Sequence, residues 1–189
     1  WIRYILDKEA FDKEFCRRWT NLPYLINPET GYCLTADLVF EGGSEDDFVV
    51  WDTVTNSAQP MPYHPFPEEL QPAFRGAYSL TTFDGKTIET YTGGEALWRA
   101  SEEWTLEKAA ETCWLDAAEI EKAINLYLDN QVCAISHGVA TDQYPHAQKA
   151  APSALITEGL MGHVCKPGAV TQRARSGRGT LQTAPSRPA

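Results

Sequence analysis

The chain predicts an α/β fold, and three stretches predict it. The first is a capped amphipathic helix. Asp116-Ala117-Ala118-Glu119 carries Asp at the N-cap and Glu at the third helical position, and Ile120, Ala123, Ile124, Tyr127 and Leu128 keep one apolar stripe behind it. The second is the apolar run Val132-Cys133-Ala134-Ile135 directly after that helix, which reads as a buried strand over 132–136. The third is a pair of strand-like runs on either side of Asp84-Gly85, a hairpin signal. Helix, strand, loop and helix in succession form one unit of a layered α/β domain, with the stripe packed on a sheet. The expected class is therefore a partial layered, dinucleotide-binding-like α/β domain with an irregular insertion.

The remaining elements follow in order. Residues 1–19 read as two helical pieces, with Asp12 as the N-cap of the second and Phe11 and Cys16 placed for a hydrophobic staple. Residues 20–47 are rich in Asn, Pro, Gly and acids and read as irregular. Phe48–Trp51 is a compact strand signal followed by turn chemistry over 52–62. The proline-dense 60–72 stretch reads as an extended surface connection. Tyr78–Phe83 and Thr87–Tyr91 are the hairpin strands. From Gly94 the pattern is helical, with Leu97, Ala100, Ser101 and Trp104 on one face, and Thr105 caps a second short helix through Thr112. The expected organisation is a helical edge at 1–19, an irregular excursion at 20–75, an α/β region at 76–172 and a disordered or aberrant tail at 173–189.

The chain has 189 residues, 43% hydrophobic and 22% charged, enough for one domain with a proper core. It opens on Trp1-Ile2-Arg3-Tyr4 inside an amphipathic pattern, which suggests a piece of something larger. The net charge of −10 is unevenly spread, because all 26 acids and only 11 of the 16 bases lie in residues 1–158. So acidic a body excludes the basic face of a nucleic-acid binder. No apolar run approaches the roughly 20 residues of a membrane span. The tail offers almost no apolar surface to offset ordering entropy. Five cysteines stand far apart without a C-x-x-C pair, which argues against a zinc site or closed disulfide framework and for reduced, mostly buried thiols.

Most candidate chemistry reduces to ordinary roles. His64, His137, His146 and His163 lack metal-ligand spacing and read as unrelated surface and loop histidines. Gly93-Gly94 is a helix lead-in rather than a phosphate loop, and Glu102, Glu103, Glu119 and Glu121 read as solvated. The 137–148 loop differs. Gly138 beside the predicted strand end, then Thr141, Asp142, Gln143 and Gln148, offers donors and acceptors for a flat polar heterocycle, at the rim where α/β sheets hold dinucleotides. Residue type alone leaves two readings open, a plain polar loop (slightly favoured) and a ligand loop.

The order of residues adds a resemblance. Ile135-Ser136-His137-Gly138-Val139-Ala140-Thr141-Asp142-Gln143, then Gln148-Lys149-Ala150-Ala151, then Leu160-Met161-Gly162-His163-Val164-Cys165-Lys166-Pro167-Gly168 resembles the large subunit of molybdopterin-dependent oxidoreductases, the dimethyl sulfoxide reductase family. Upstream, Asp12-Lys13-Glu14-Phe15, Trp19-Thr20-Asn21, Val50-Trp51-Asp52, Asp84-Gly85-Lys86, Trp104-Thr105-Leu106-Glu107 and Ala118-Glu119-Ile120 fall in family order. The similarity covers roughly residues 1–172 and is nearest to the acetylene hydratase, pyrogallol transhydroxylase and catechol dehydroxylase branch. Departures are also present. Pro152 should kink or shorten the helix after the loop, Gly159 weakens it, His163 stands where the family has Asn, and Ala169 where it has a second Gly. After Gln172 the match stops.

The resemblance implies an internal fragment of the catalytic subunit of a larger, multidomain molybdenum or tungsten enzyme. Its cofactor would be molybdenum bis(molybdopterin guanine dinucleotide), with an iron–sulfur cluster in a preceding part of the parent. It implies that His137, Gly138, Asp142 and Gln143 line the cofactor, with Gln148 assisting from the helix start. No residue is implied as acid, base or metal ligand, and the chain alone is not expected to be active. The implied partners are a small-molecule substrate and an iron–sulfur electron-transfer subunit. The alternative is a free-standing acidic α/β interaction module without cofactor, using 20–75 as its surface. A start codon just before Trp1 in the encoding DNA would support the module, and an upstream in-frame cysteine cluster the fragment.

Overall fold

A computed structural model describes residues 1–62, 65–130, 132–136, 138 and 147–169. The fold is α/β, with helices at both ends of the described chain and two antiparallel sheets between them. Helices α1 (Ile2–Asp7) and α2 (Lys13–Trp19) match the two pieces expected. The Asp12 carboxylate accepts the Phe15 N–H at 2.8 Å, and Phe11 and Cys16 are buried together, as a capped and stapled helix start requires.

The 20–47 stretch contributes two short elements that its composition hides, β1 (Leu25–Ile26) and α3 (Ala36–Val39). Strand β2 (Phe48–Asp52) pairs antiparallel with β3 (Ser57–Met61), with Trp51 opposite Ala58 and Val49 opposite Pro60. The expected turn over 52–62 is therefore corrected to a hairpin whose second strand contains Pro60. Its missing N–H is tolerated because β3 is an edge. Buried Asp52 organises the turn. Its carboxylate accepts from Thr55 N–H (2.8 Å), Thr55 Oγ1 (2.8 Å) and Gln71 N–H (2.9 Å). Burial alone would raise its pKa, but these donors outweigh burial and hold it below the usual value.

Strands β4 (Ala77–Thr81) and β5 (Thr87–Thr92) form the second hairpin, in register Leu80 opposite Ile88, and β1 pairs with β5 along the other side. Leu25, Leu34, Val39, Val49, Leu80 and Ile88 form one buried cluster beneath the two sheets.

Thr92 ends β5 and caps α4 (Gly93–Ala100), accepting the Glu95 N–H at 3.1 Å. The helix lead-in at Gly93-Gly94 has a packing reason. A β-carbon at Gly93 would stand 2.3 Å from the Asn21 carbonyl oxygen, and one at Gly94 2.1 Å from that of Phe74. Helices α5 (Leu106–Cys113, capped by Thr105) and α6 (Ala117–Asp129) follow. Asp116 sits at the N-cap of α6, but its side chain makes no capping bond.

The α6 stripe is also corrected. Ile120, Ile124 and Tyr127 are buried while Ala123 is exposed, and the stripe faces helices rather than a sheet. Tyr127 packs against Trp1 at 5.5 Å, and Leu128 lies against the cluster of Ile5, Leu6, Phe11, Cys16, Leu22 and Leu160. Glu121, expected to be merely solvated, accepts the Tyr4 hydroxyl at 2.9 Å.

Residues 132–136 are not a buried strand. Val132 has φ 67, the run joins neither sheet, and its residues are half-buried or exposed. An apolar run becomes a strand only where another strand takes its hydrogen bonds. The β2–β3 and β4–β5 hairpins satisfy each other upstream, and no described strand borders this run. Helix α7 (Ala147–Leu160) runs through Pro152 rather than ending there, with the Ser153 and Thr157 hydroxyls donating to the Lys149 and Ser153 carbonyls at 2.8 and 2.9 Å. The tail expected to be disordered, 173–189, lies outside the described residues. Among the described residues no helix is long and apolar enough to cross a membrane.

Candidate functional site

The candidate loop, 137–148, lies in sequence between α6, which ends at Asp129, and α7, whose first turn contains Gln148. Of its expected residues, His137, Asp142 and Gln143 lie outside the described residues, and the side chain of Gln148 does too. Gly138 is described. A β-carbon there would meet no atom of the described residues within 4 Å.

What the structure brings to the loop is a group that residue spacing does not single out. Glu158 lies in the last turn of α7 and is 1% exposed. Its Oε1 accepts the Ile135 N–H at 2.7 Å, whereas its Oε2 is buried without a hydrogen-bond partner among the described residues. Beside it, His163 Nδ1 and the Tyr127 hydroxyl share a buried hydrogen bond of 3.1 Å, their rings meeting edge to face. His163 is thus buried, not the surface histidine expected.

The chain reaches this position through a Schellman turn. Gly162 has φ 62, its N–H bonds the Gly159 carbonyl at 3.2 Å, and the His163 N–H bonds the Glu158 carbonyl at 2.9 Å. A β-carbon at Gly162 would stand 2.7 Å from Asp12 Oδ2, so the turn also packs tightly on the start of α2. Asp12 N–H donates to the Leu160 carbonyl at 2.9 Å, and Lys166 approaches Asp12 at 3.8 Å.

Burial, then the Lys166 ammonium, holds the His163 pKa below its ordinary value, against the opposing pull of Glu158 and Asp12. Burial, then Glu158 and Cys133, pushes the Tyr127 pKa up. The thiols are not mostly buried as expected. Cys16 is, and burial pushes its pKa up to about 12, while Cys33 and Cys133 are half-buried and Cys113 and Cys165 exposed. Among the described residues no group of three or more His, Cys, Asp or Glu could hold a metal ion.

A groove of about 760 Å³ opens beside this cluster, with Trp1, Tyr4, Leu97, Trp104, Ile120 and Ile135 among its walls. The face read from Leu97, Ala100, Ser101 and Trp104 lines it.

No known protein-family profile matches the chain. It is 30% identical over 150 residues, 77% of its length, to the catalytic chain of a putative dimethyl sulfoxide reductase of Halobacterium salinarum. It is also 25% identical over 191 aligned positions, 87% of its length, to the alpha chain of the perchlorate reductase of Dechloromonas aromatica. Both similarities support the molybdopterin oxidoreductase family. The aligned parts are 17% and 21% of those two proteins, so the chain spans about a fifth of the length of the curated relatives it matches. Neither relative is named as an acetylene hydratase, pyrogallol transhydroxylase or catechol dehydroxylase.

Proposed function

We propose that the chain is part of the catalytic subunit of a molybdenum or tungsten enzyme carrying bis(molybdopterin guanine dinucleotide), and that its His137–Gln148 loop forms part of the cofactor cradle. The observation that carries this reading is the 30% identity over 150 residues to the catalytic chain of a dimethyl sulfoxide reductase. The residues assigned to the cofactor are His137, Gly138, Asp142, Gln143 and Gln148. The helix start that follows the loop suits a phosphate-bearing ligand, because helix N-termini present unpaired N–H groups to anions. When bound, the metal supplies redox or hydration chemistry on a small substrate, and the chain's own residues bind and orient the cofactor. No residue of this chain is assigned as acid, base or metal ligand.

The branch containing acetylene hydratase remains our reading of His137–Gln143. A preceding part of the parent would carry the iron–sulfur cluster, and a separate iron–sulfur subunit would exchange electrons with it. The test is composition. The complete protein, purified under anaerobic conditions, is expected to contain molybdenum or tungsten, an oxidisable pterin and GMP released by acid hydrolysis. A folded complete protein lacking all three would overturn the assignment and favour the cofactor-free interaction module.

A further inference from the structure

Glu158 occupies a position that nothing about helix stability explains. It is a carboxylate in the last turn of α7, where the helix dipole disfavours an anion. It is 1% exposed, no Lys or Arg pairs with it among the described residues, and one oxygen has no hydrogen-bond partner there. Each of these is unfavourable for an ionisable group. The one direct hydrogen bond its side chain makes among the described residues is to a loop backbone, the Ile135 N–H at 2.7 Å. That bond spans 23 residues and lands three residues before Gly138. Ile135 belongs to no strand, so this carboxylate does for its N–H what a sheet ladder would otherwise do.

The geometry points to Glu158 as the positioning residue for the loop that starts at 132. It fixes the position of the backbone at Ile135, ahead of the proposed cofactor loop, with the Tyr127–His163 pair as the buried wall beside it. This rests on the proposed cofactor role of the loop for its purpose, but not for its geometry. Glu158 is not a catalytic residue, since it acts through the backbone it holds.

Two variants of the complete protein separate positioning from simple packing. Glu158→Gln keeps an oxygen acceptor for Ile135. Glu158→Leu keeps similar bulk and removes the buried charge, so global stability should hold or rise, yet it leaves the Ile135 N–H unpaired. Hydrogen exchange read on a peptide covering 132–136 should speed up about tenfold in the Leu variant and stay near wild type in the Gln variant, while exchange in α6 is unchanged in both. Unchanged exchange at 132–136 in the Leu variant overturns the proposal, as does equal acceleration throughout α6 and α7. Metal and pterin content, measured on the same samples, reports on the other reading. Loosened exchange with loss of cofactor in Leu and its rescue in Gln supports both. Loosened exchange with full cofactor content upholds Glu158 as the loop's anchor and removes the loop from the cofactor cradle.

Discussion

The described part of residues 1–130 and residues 132–136 are anchored by different means. In the first region each element has several independent ties. Helix α2 has a side-chain cap, a staple and the buried Arg17, which donates to the Leu70 carbonyl at 2.9 Å and packs at 5.0 Å on Phe66. The hairpins have paired registers and a shared apolar cluster. In the second region the backbone belongs to no helix or sheet, and a buried carboxylate, Glu158, takes the Ile135 N–H at 2.7 Å. Redundant ties make a rigid platform, and sparse ties leave a segment that a ligand or neighbouring chain can complete. Ligand loops on rigid scaffolds follow that division.

The largest expected effect comes from breaking the platform. Ile5 is fully buried in the helical cluster, and Ile5→Ala should lower unfolding stability by about 3 kcal/mol in urea titrations, the usual range for a large-to-small core change. A change under about 1 kcal/mol would mean that this cluster is not a true core. Next, Asp52→Ala removes an acceptor of three hydrogen bonds at the β2–β3 turn and should lower stability by about 2 kcal/mol. The Asp52 contribution should be present at neutral pH and lost as pH falls below the ordinary Asp value toward its depressed folded one. A smaller loss, about 1 kcal/mol, is expected for Asp12→Ala through the α2 cap, with faster exchange at the α7–α2 junction where Asp12 meets Lys166 and Gly162.

The smallest effect concerns pH and sharpens the contrast at the wall beside the loop. Above its ordinary pKa, His163 is neutral in folded and unfolded chains alike. As pH falls through that value the unfolded chain takes up a proton that the folded chain refuses, so stability declines. His163→Gln removes this share. Urea midpoints at about pH 7.5 and 5.5 should therefore differ less in the variant than in wild type, and equal differences would mean His163 is not held neutral.

The sequence made the platform legible where signals are local. Asp12, Thr105, Asp84-Gly85 and the Ile120–Tyr127 stripe each announce an element within a few residues, and each element is present. Failures came where a long-range partner decides. Val132–Ile135 has strand composition but finds no strand beside it among the described residues, and Ala58-Gln59-Pro60 has turn composition but finds β2. Cys113 and Cys165 are exposed because burial of a thiol depends on neighbours that spacing does not show. At the site, the sequence singled out the polar, glycine-containing 137–148 loop as a candidate ligand loop. Glu158 was not singled out, because a lone Glu near a helix end reads as solvated until the fold lays Ile135 over it 23 residues away in sequence.

The most direct test is Gly138→Val in the complete protein. A β-carbon at Gly138 meets no atom of the described residues within 4 Å, and Gly138 is not among the glycines with a left-handed backbone, so valine is expected to fold there. If the loop cradles the cofactor, the added side chain fills space the cofactor needs. Thermal unfolding should then stay near wild type once cofactor-free samples are compared, while metal and pterin content drop together and activity falls in proportion. Full metal and pterin content in the valine variant, with only substrate affinity reduced, would contradict the assignment and turn the loop toward the substrate instead.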